Sequence, residues 1–364
     1  MIVMNDNVKQ KLESILDAPT CYPERERKTR EQRYADLVYW YNTYNDINEV
    51  YNLWGMDCVE ADCLDAWLDR GLFRKQRHDI NAFFYPKGSQ FPVDYTVIMR
   101  DKRMFEGFCE MVLGYGNGYS PSVAYIIEKQ FMLKNGRVSE SADFVEFIGG
   151  YDSQMLVFKQ VFGCSGETVK VVKIENGNII SDGEVYSPVD FWALLTSAKS
   201  SSWIVQEYIV QHPEMKRLNE SSVNTLRFVT FHTGDEIYVY PVIMMRYGVP
   251  GALVDNSSIG VGVDMNGVVM DWALDLKSKS RIRCHEAAMK IPYFKEAVNI
   301  VKHLHSNIPE IFTVGWDICI TPNGPHVIEG NDGWDVVLHQ AFDGCKMRNF
   351  WNDMVAKHAA YYQK

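Results

Sequence analysis

The sequence predicts an α+β protein whose largely antiparallel sheets follow a mostly helical N-terminal region. From residue 96 onward, short runs rich in β-branched and aromatic residues succeed one another: TVIM, MLVFKQ, TVKVVKI, SWIVQEYI, TLRFVTFH, EIYVYPVIMM and VGWDICI. Helical patterns interrupt them without the regular strand–helix beat of a parallel sheet. The length, 364 residues with 46% apolar, provides core for one large domain or two to three subdomains, and excludes disordered, collagen-like and coiled-coil classes.

In chain order, Tyr34, Leu37, Tyr41, Tyr44, Ile47 and Leu53 recur at roughly helical spacing in a charged background, which predicts an aromatic packing stripe. The stretch ADCLDAWLDRGLF predicts a second helix ending at Gly71, and the Pro- and Gly-bearing segment 81–92 predicts a linker. Ser187, Pro188 and Asp190 read as N-cap, first-turn proline and N3 acid of a helix reaching about Ala198. A further helix is expected from about Pro292, with Ala297, Ile300, Val301 and Leu304 on one face and His303 and His305 on its surface.

Lysine and arginine total 37 against 47 acids, a net charge of −10 that weighs against a nonspecific nucleic-acid binder. No run approaches the roughly 18 apolar residues of a membrane span. The eight cysteines show no CxxC spacing and are expected to be reduced thiols. A cytoplasmic protein without nucleic-acid partner or membrane span is the expectation.

The segment most informative about chemistry is VGWDICITPNGPHVIEGND, two strand-like runs flanking a Pro-Asn-Gly turn. A hairpin centred on Asn323 puts Asp317 directly opposite Glu329, with Asn331 two residues further along the same face. Opposed residues have Cβ atoms about 4.5–5.5 Å apart, so three oxygen donors converge. Two carboxylates that close raise one pKa unless a cation lies between them. An oxygen-only Asp/Glu/Asn set suits Mg²⁺, or Mn²⁺, with nucleotide phosphates completing the shell. A solvated acidic face is the alternative. Trp316, Ile318, Ile320 and Ile328 are expected on the opposite face.

In MLVFKQVFGCSGETVKVV, Lys159 ends one strand, Thr168 begins the next, and Gly163, Cys164, Ser165 and Gly166 join them. Glycine lets backbone N–H groups approach phosphate, and lysine adds a point charge, although a plain turn has the same signature and the Walker pattern is absent. Gly114, Gly116 and Gly118 lie in a loop without dinucleotide-binding context. Arg227 and Arg246 fall in apolar strands and so need an anionic partner, a structural carboxylate or a ligand.

With Lys159 and its Gly-rich hairpin, WIVQEYI, Arg227, and then Asp317, Glu329 and Asn331 in that order, the chain resembles the ATP-grasp superfamily. NTLRFVTF, VDNSSIGVGVD, IPYFKEA, VGWDICIT and GPHVIEGN narrow the resemblance to the sugar-transfer-associated ATP-grasp family, related to α-L-glutamate ligases. It covers about residues 95–340. The resemblance implies two α+β subdomains, 95–210 and 211–364, clasping ATP between antiparallel sheets; the helical region 1–94 read from the residues departs from the α/β domain that many members of the superfamily carry there. It implies that Lys102, Lys159, Gly163, Ser165 and Gly166 lie near the phosphates, and that Glu207 and Ile209 offer backbone groups to adenine. Asp317, Glu329 and Asn331 would carry magnesium, Arg227 and Lys159 would act on the transferring phosphoryl group, and Arg246, Asn256 and His285 would line a substrate cleft.

The function so implied is an ADP-forming carboxylate–amine ligase working through an acylphosphate, attaching an amino acid in cell-surface polysaccharide or peptide biosynthesis. A kinase of a small-molecule or sugar hydroxyl, or a nonenzymatic nucleotide-binding partner of a glycosyltransferase, would use the same nucleotide residues. The implied partners are ATP with small carboxylate and amine substrates, and a second copy of the chain in a homodimer.

Overall fold

The computed structural model describes residues 4–61, 63–82, 84, 90–135, 138–163, 169–197, 202–249, 251, 259–344 and 346–362. Helix α1 (Asp6–Asp17) starts where the Asn5 side chain accepts from Val8 N–H, and α2 (Arg30–Tyr44) starts on a reciprocal Thr29–Gln32 capping box. The residues α2 buries are Arg33, Leu37 and Trp40, whereas Tyr34 is 41% exposed. The expected stripe is therefore rotated, and Asn45, in the left-handed conformation, ends the helix before Ile47 and Leu53.

Helix α3 (Arg70–Ala82) begins where the sequence predicted a helix to end. The Asp69 carboxylate accepts from Leu72 N–H at 2.7 Å, so Asp69 is a cap that opens a helix, and Gly71 lies in its first turn. What precedes is only a 3₁₀ turn, Leu64–Ala66, and α3 runs into the expected linker. Helix α4 (Val97–Arg100) replaces the strand expected from TVIM. Asp94 accepts from Thr96 N–H at 2.9 Å and turns the chain, and so short an apolar run carries no period to separate helix from strand. Asp101 then caps α5 (Lys102–Leu113).

The first sheet holds β1 (Ser122–Ile127), β2 (Gln130–Asn135), β3 (Val138–Ser141), β4 (Met155–Gln160), β5 (Val169–Glu175), β6 (Asn178–Ser181), β7 (Glu184–Tyr186) and β8 (Trp203–Glu207), in the order β3-β2-β1-β8-β4-β5-β6-β7 with antiparallel pairings. Helices α6 (Phe144–Gly149) and α7 (Pro188–Ser197) pack on it through Phe144, Phe147, Phe191 and Leu195. Ser187 caps α7 as expected, accepting from Asp190 N–H at 3.2 Å.

After α8 (Pro213–Lys216), the second sheet holds β9 (Thr225–His232), β10 (Ile237–Val239), β11 (Ile243–Tyr247), β12 (Ile259–Val263), β13 (Val269–Asp275), β14 (Ser280–Arg283), β15 (Thr313–Thr321) and β16 (Gly324–Asn331). Its order is β14-β13-β12-β11-β9-β15-β16, with β10 also on β9. The run EIYVYPVIMM breaks at Pro241, which has no N–H for the ladder, and both halves pair with β9. One face buries Phe228, Met245, Val261, Trp316, Ile318 and Ile320 under α9 (Phe294–Ser306) and α5. The other buries Val229, Phe231, Met244 and Trp334 under α3 and two C-terminal helices, α10 (Val337–Asp343) and α11 (Lys346–Tyr362).

The N-terminal helices are thus joined to the second sheet. Side-chain amides make the joints by imitating a strand partner. Asn81 accepts from Thr313 N–H at 3.1 Å and donates to Thr313 C=O at 2.9 Å, and Gln340 does the same for Leu68 at 2.8 and 2.9 Å.

On α9, Ala297, Val301 and Leu304 are buried as predicted, but so is His305, expected on the surface. Its Nε2 meets the Ile311 carbonyl at 2.8 Å, which fixes the proton on Nε2 and leaves Nδ1 to accept from the Thr230 hydroxyl at 2.6 Å. Thr230 in turn accepts from Trp316 Nε1–H at 2.7 Å. The partners of this histidine lie on other strands and a loop, which helical spacing does not show.

Burial pushes the His305 imidazole from 6.5 down to about 3. The unfolded chain therefore takes up a proton near 6.5 that the folded one refuses until about 3, so this contribution to stability is lost as pH falls through that window, at up to about 1.4 kcal/mol per pH unit. Melting temperatures measured between pH 7 and 5 should fall with pH, and His305→Gln should show a lower melting temperature at pH 7 with a shallower pH slope.

Candidate active site

Asp317 and Glu329 do face each other, by a route the sequence did not indicate. The β15–β16 turn contains only Pro322 and Asn323, closed by Thr321 opposite Gly324, and that register alone would set Asp317 against Ile328. A β-bulge between Ile318 and Asp317 moves the ladder by one residue, so Asp317 pairs with Glu329 and Gly315 with Asn331. Ile328 is the extra residue. Val327 takes the core position beside Trp316 and Ile318, whereas Ile328, expected on that far face, is half-buried and lines the cleft between the two sheets.

Arg227, on the neighbouring β9, pairs in register with Asp317 and grips it with two bonds, Nε to Oδ1 at 2.7 Å and Nη2 to Oδ2 at 2.5 Å. The Asn331 amide completes the group at 3.1 Å from Glu329 and 3.4 Å from Asp317. Burial pushes the Asp317 carboxyl up, but the Arg227 guanidinium outweighs it and holds the group below the usual carboxylate range. For Glu329, burial and the adjacent Asp317 charge act together and hold it above that range. One acid stays ionised while its neighbour resists ionisation, as expected for a close pair with one arginine between them. Turning the Asn331 amide by 180° would bring its oxygen to the same point, so the three donors fit a hard divalent cation.

Two lysines approach this group, Lys159 from the first sheet and Lys102 from the start of α5. Burial holds the Lys159 ammonium, on β4, below the ordinary lysine range, with Glu329 partly offsetting it, and Lys102 lowers Glu329. Lys102 Nζ donates to the Gly163 carbonyl at 2.7 Å. Two residues earlier, Arg100 grips Asp332 at 2.6–3.2 Å, so 100–102 is a strap from the end of the β15–β16 hairpin to the start of the Gly-rich loop. Arg246, on β11, lies close enough for its charge to lower Asp317.

Not every expected residue joins the cluster. His285 is exposed beyond β14, against the Arg217 carbonyl and the Tyr247 ring, and no contact among the described residues links it to Asp317 or Arg227. Glu207 ends β8, Ile209 is two residues beyond it, and Tyr208 N–H between them bonds Met155 C=O at 3.3 Å. Ser165, Gly166 and Asn256 lie outside the described residues.

Sequence reasoning missed two members. Glu106, 4% exposed on α5, lines the cleft with Lys102 and Lys159, accepts from Ser122 N–H at 2.9 Å and Ser122 hydroxyl at 2.5 Å, and ion-pairs with Lys134. An acid between Phe105 and Phe108 on an apolar helix face was the available signal. Gly315 is the other. A Cβ there would stand 2.9 Å from Trp334 Cβ and 3.6 Å from Arg227 Cδ, so its bareness lets Trp334 lie beside the Arg227–Asp317 pair.

Residues 90–353 match the profile of the family described as sugar-transfer associated ATP-grasp. The chain belongs to that family. Its antiparallel sheets with helices are the ATP-grasp fold. Similar solved structures include N5-carboxyaminoimidazole synthetase from Staphylococcus aureus complexed with ADP (13% identity, covering 67% of this chain and 48% of that one, TM-score 0.40). They also include D-alanine–D-alanine ligase from Bacillus anthracis (15%, 72% and 68%, 0.40) and VanG D-Ala:D-Ser ligase from Enterococcus faecalis (12%, 73% and 62%, 0.42). The chain spans about half the length of the first of these. No curated protein matches it. Among the described residues, no helix is long and apolar enough to cross a membrane.

Gly315→Ala should cost about 1–3 kcal/mol, the usual penalty for overpacking a tight site. Urea unfolding measures it, and a cost near zero would mean that Trp334 does not pack against β15 as described.

Proposed function

We propose that this ATP-grasp protein is an ADP-forming ligase that joins a carboxylate to an amine. The observation that carries the reading is the grouping of Asp317, Glu329 and Asn331 with Arg227 on the second sheet, within reach of the charge of Lys159 on the first. Family membership supports ATP as the co-substrate.

In the proposed reaction, a substrate carboxylate oxygen attacks the γ-phosphorus, the bond to the β–γ bridging oxygen breaks, and ADP leaves. The amine then attacks the acylphosphate carbonyl carbon, phosphate departs, and the nitrogen loses a proton. No side-chain nucleophile is needed, so the protein acts by positioning and by stabilising charge. Lys159 and Arg227 disperse charge on the phosphoryl group in transit. Lys102 holds the start of the Gly-rich loop near the phosphates, Ile328 supplies an apolar wall for the adenine ring, and backbone groups at Glu207 and Ile209 meet its edge. Asp317, Glu329 and Asn331 would hold Mg²⁺, which when bound neutralises phosphate charge. Arg246, near Asp317, is the candidate contact for the substrate carboxylate. The family's association with sugar transfer supports an amino acid attached in cell-surface polysaccharide or peptide biosynthesis.

Incubation with MgATP and pooled amino acids, dipeptides and uronic-acid sugars should yield ADP and a new mass equal to two components less water. Glu329→Gln should lower ADP formation about 100-fold, as expected for loss of a group that stabilises transferring charge. A phosphorylated component would assign a kinase instead, and nucleotide binding without any product would support a binding role.

A further inference from the structure

Helix α3 lies outside the segment that matches the family profile, yet it is built against the chain that follows the last candidate metal ligand, Asn331. Arg70, Arg74 and Arg77 recur at i, i+4 and i+7 and so share one face. Arg70 Nε meets Asp335 Oδ2 at 2.9 Å, and Arg74 meets the same oxygen through Nε at 2.9 Å and Nη2 at 2.5 Å. Arg77 donates to the Trp334 carbonyl. From α4, Arg100 holds Asp332. Of the four residues that follow Asn331, three are held by arginines. The other oxygen of Asp335 accepts from Val337 N–H at 3.2 Å, which ties the same carboxylate to the start of α10.

The topology gives this clamp its meaning. The β15–β16 hairpin is closed at Pro322-Asn323, but its open end is where Asn331 pairs with Gly315, two residues from Thr313. Asn331 is the last residue of β16, so the ladder restrains it on one side only. Helix α3 spans this open end: Asn81, near its C-terminus, pins Thr313 N–H and C=O, and its arginines pin the chain just past Asn331. Without such a restraint the end of an edge strand frays, and the third donor would leave Asp317 and Glu329.

We propose that Arg70 and Arg74 are positioning residues for the metal site, holding Asn331 in ligating geometry through Asp335, so that the N-terminal helical region is a working part of that site. This inference rests on the metal reading above.

The test uses the full chain with ADP as ligand, titrated calorimetrically with and without Mg²⁺, so no substrate need be known. For the parent, Mg²⁺ should tighten ADP binding. In the double variant Arg70→Gln/Arg74→Gln, that Mg²⁺-dependent factor should fall about tenfold, the low end for outer partners of metal ligands, while ADP affinity without Mg²⁺ stays the same. Asp335→Asn, a milder change should the double variant fold poorly, should reproduce the loss, and Arg70→Gln/Arg74→Lys should lose less of the factor than Arg70→Gln/Arg74→Gln. Variants that melt earlier yet keep the full Mg²⁺ factor would show a purely structural clamp and overturn the proposal. A parent without any Mg²⁺ effect would overturn the metal reading itself, and the clamp with it.

Discussion

Two carboxyl groups held face to face in a half-buried cleft cannot both be charged unless positive charge is supplied, and much of the molecule is arranged around that need. Across neighbouring strands, Arg227, Asp317 and Glu329 stand in one row, with Arg246 one step off it on β11. Lys159 approaches from β4 of the first sheet and Lys102 from the start of α5. With Glu106 and its partner Lys134 included, five cations stand around three acids, a local excess of positive charge within a chain of net charge −10. An anionic ligand carrying several charges suits such a place, and the composition of the whole chain conceals it.

The architecture divides the labour between the two faces of the second sheet. One is dry, with Trp316, Ile318 and Ile320 fully buried beneath α9, and it encloses the Trp316–Thr230–His305 chain, whose donors and acceptors are all used. The other carries the charged row at one end and passes at the other into a core shared with α3, α10 and α11. Rigid packing on both sides is what allows side chains on strands to keep their mutual geometry without a ligand to organise them.

Half of the strands were legible, β4, β5, β8 to β11, β15 and β16, because β-branched runs bounded by turn residues mark them, whereas β1 to β3, β6, β7 and β12 to β14 carry shorter or more polar runs and went unread; the grouping of Asp317, Glu329 and Asn331 was expected from the hairpin, and that of Lys159 and Arg227 with them from their order along the chain. Most of what escaped shared a cause: the deciding partner is distant in sequence. Asp69 is the exception, since the Leu72 N–H it caps is three residues away and the stretch before Gly71 simply has the spacing of a helix end. His305 reads as a surface residue until Thr230 and Ile311 are placed beside it. Glu106 reads as an ordinary helix acid until Ser122 and Lys134 enclose it. The bulge at Ile328 is invisible for the same reason, since only the pairing of two strands shows which of them carries an extra residue.

That bulge also ties the pair to one count of residues within the strands. Side chains alternate from face to face, so removing the extra residue at Ile328, or adding another to the paired segments on either side of the turn, turns Glu329 away from Asp317. Residues added between Thr321 and Gly324 only lengthen the loop and leave the ladder as it is. Among homologous sequences, the spacing from the aspartate to the glutamate should therefore change only inside the turn, while the two strand segments that flank it keep their lengths.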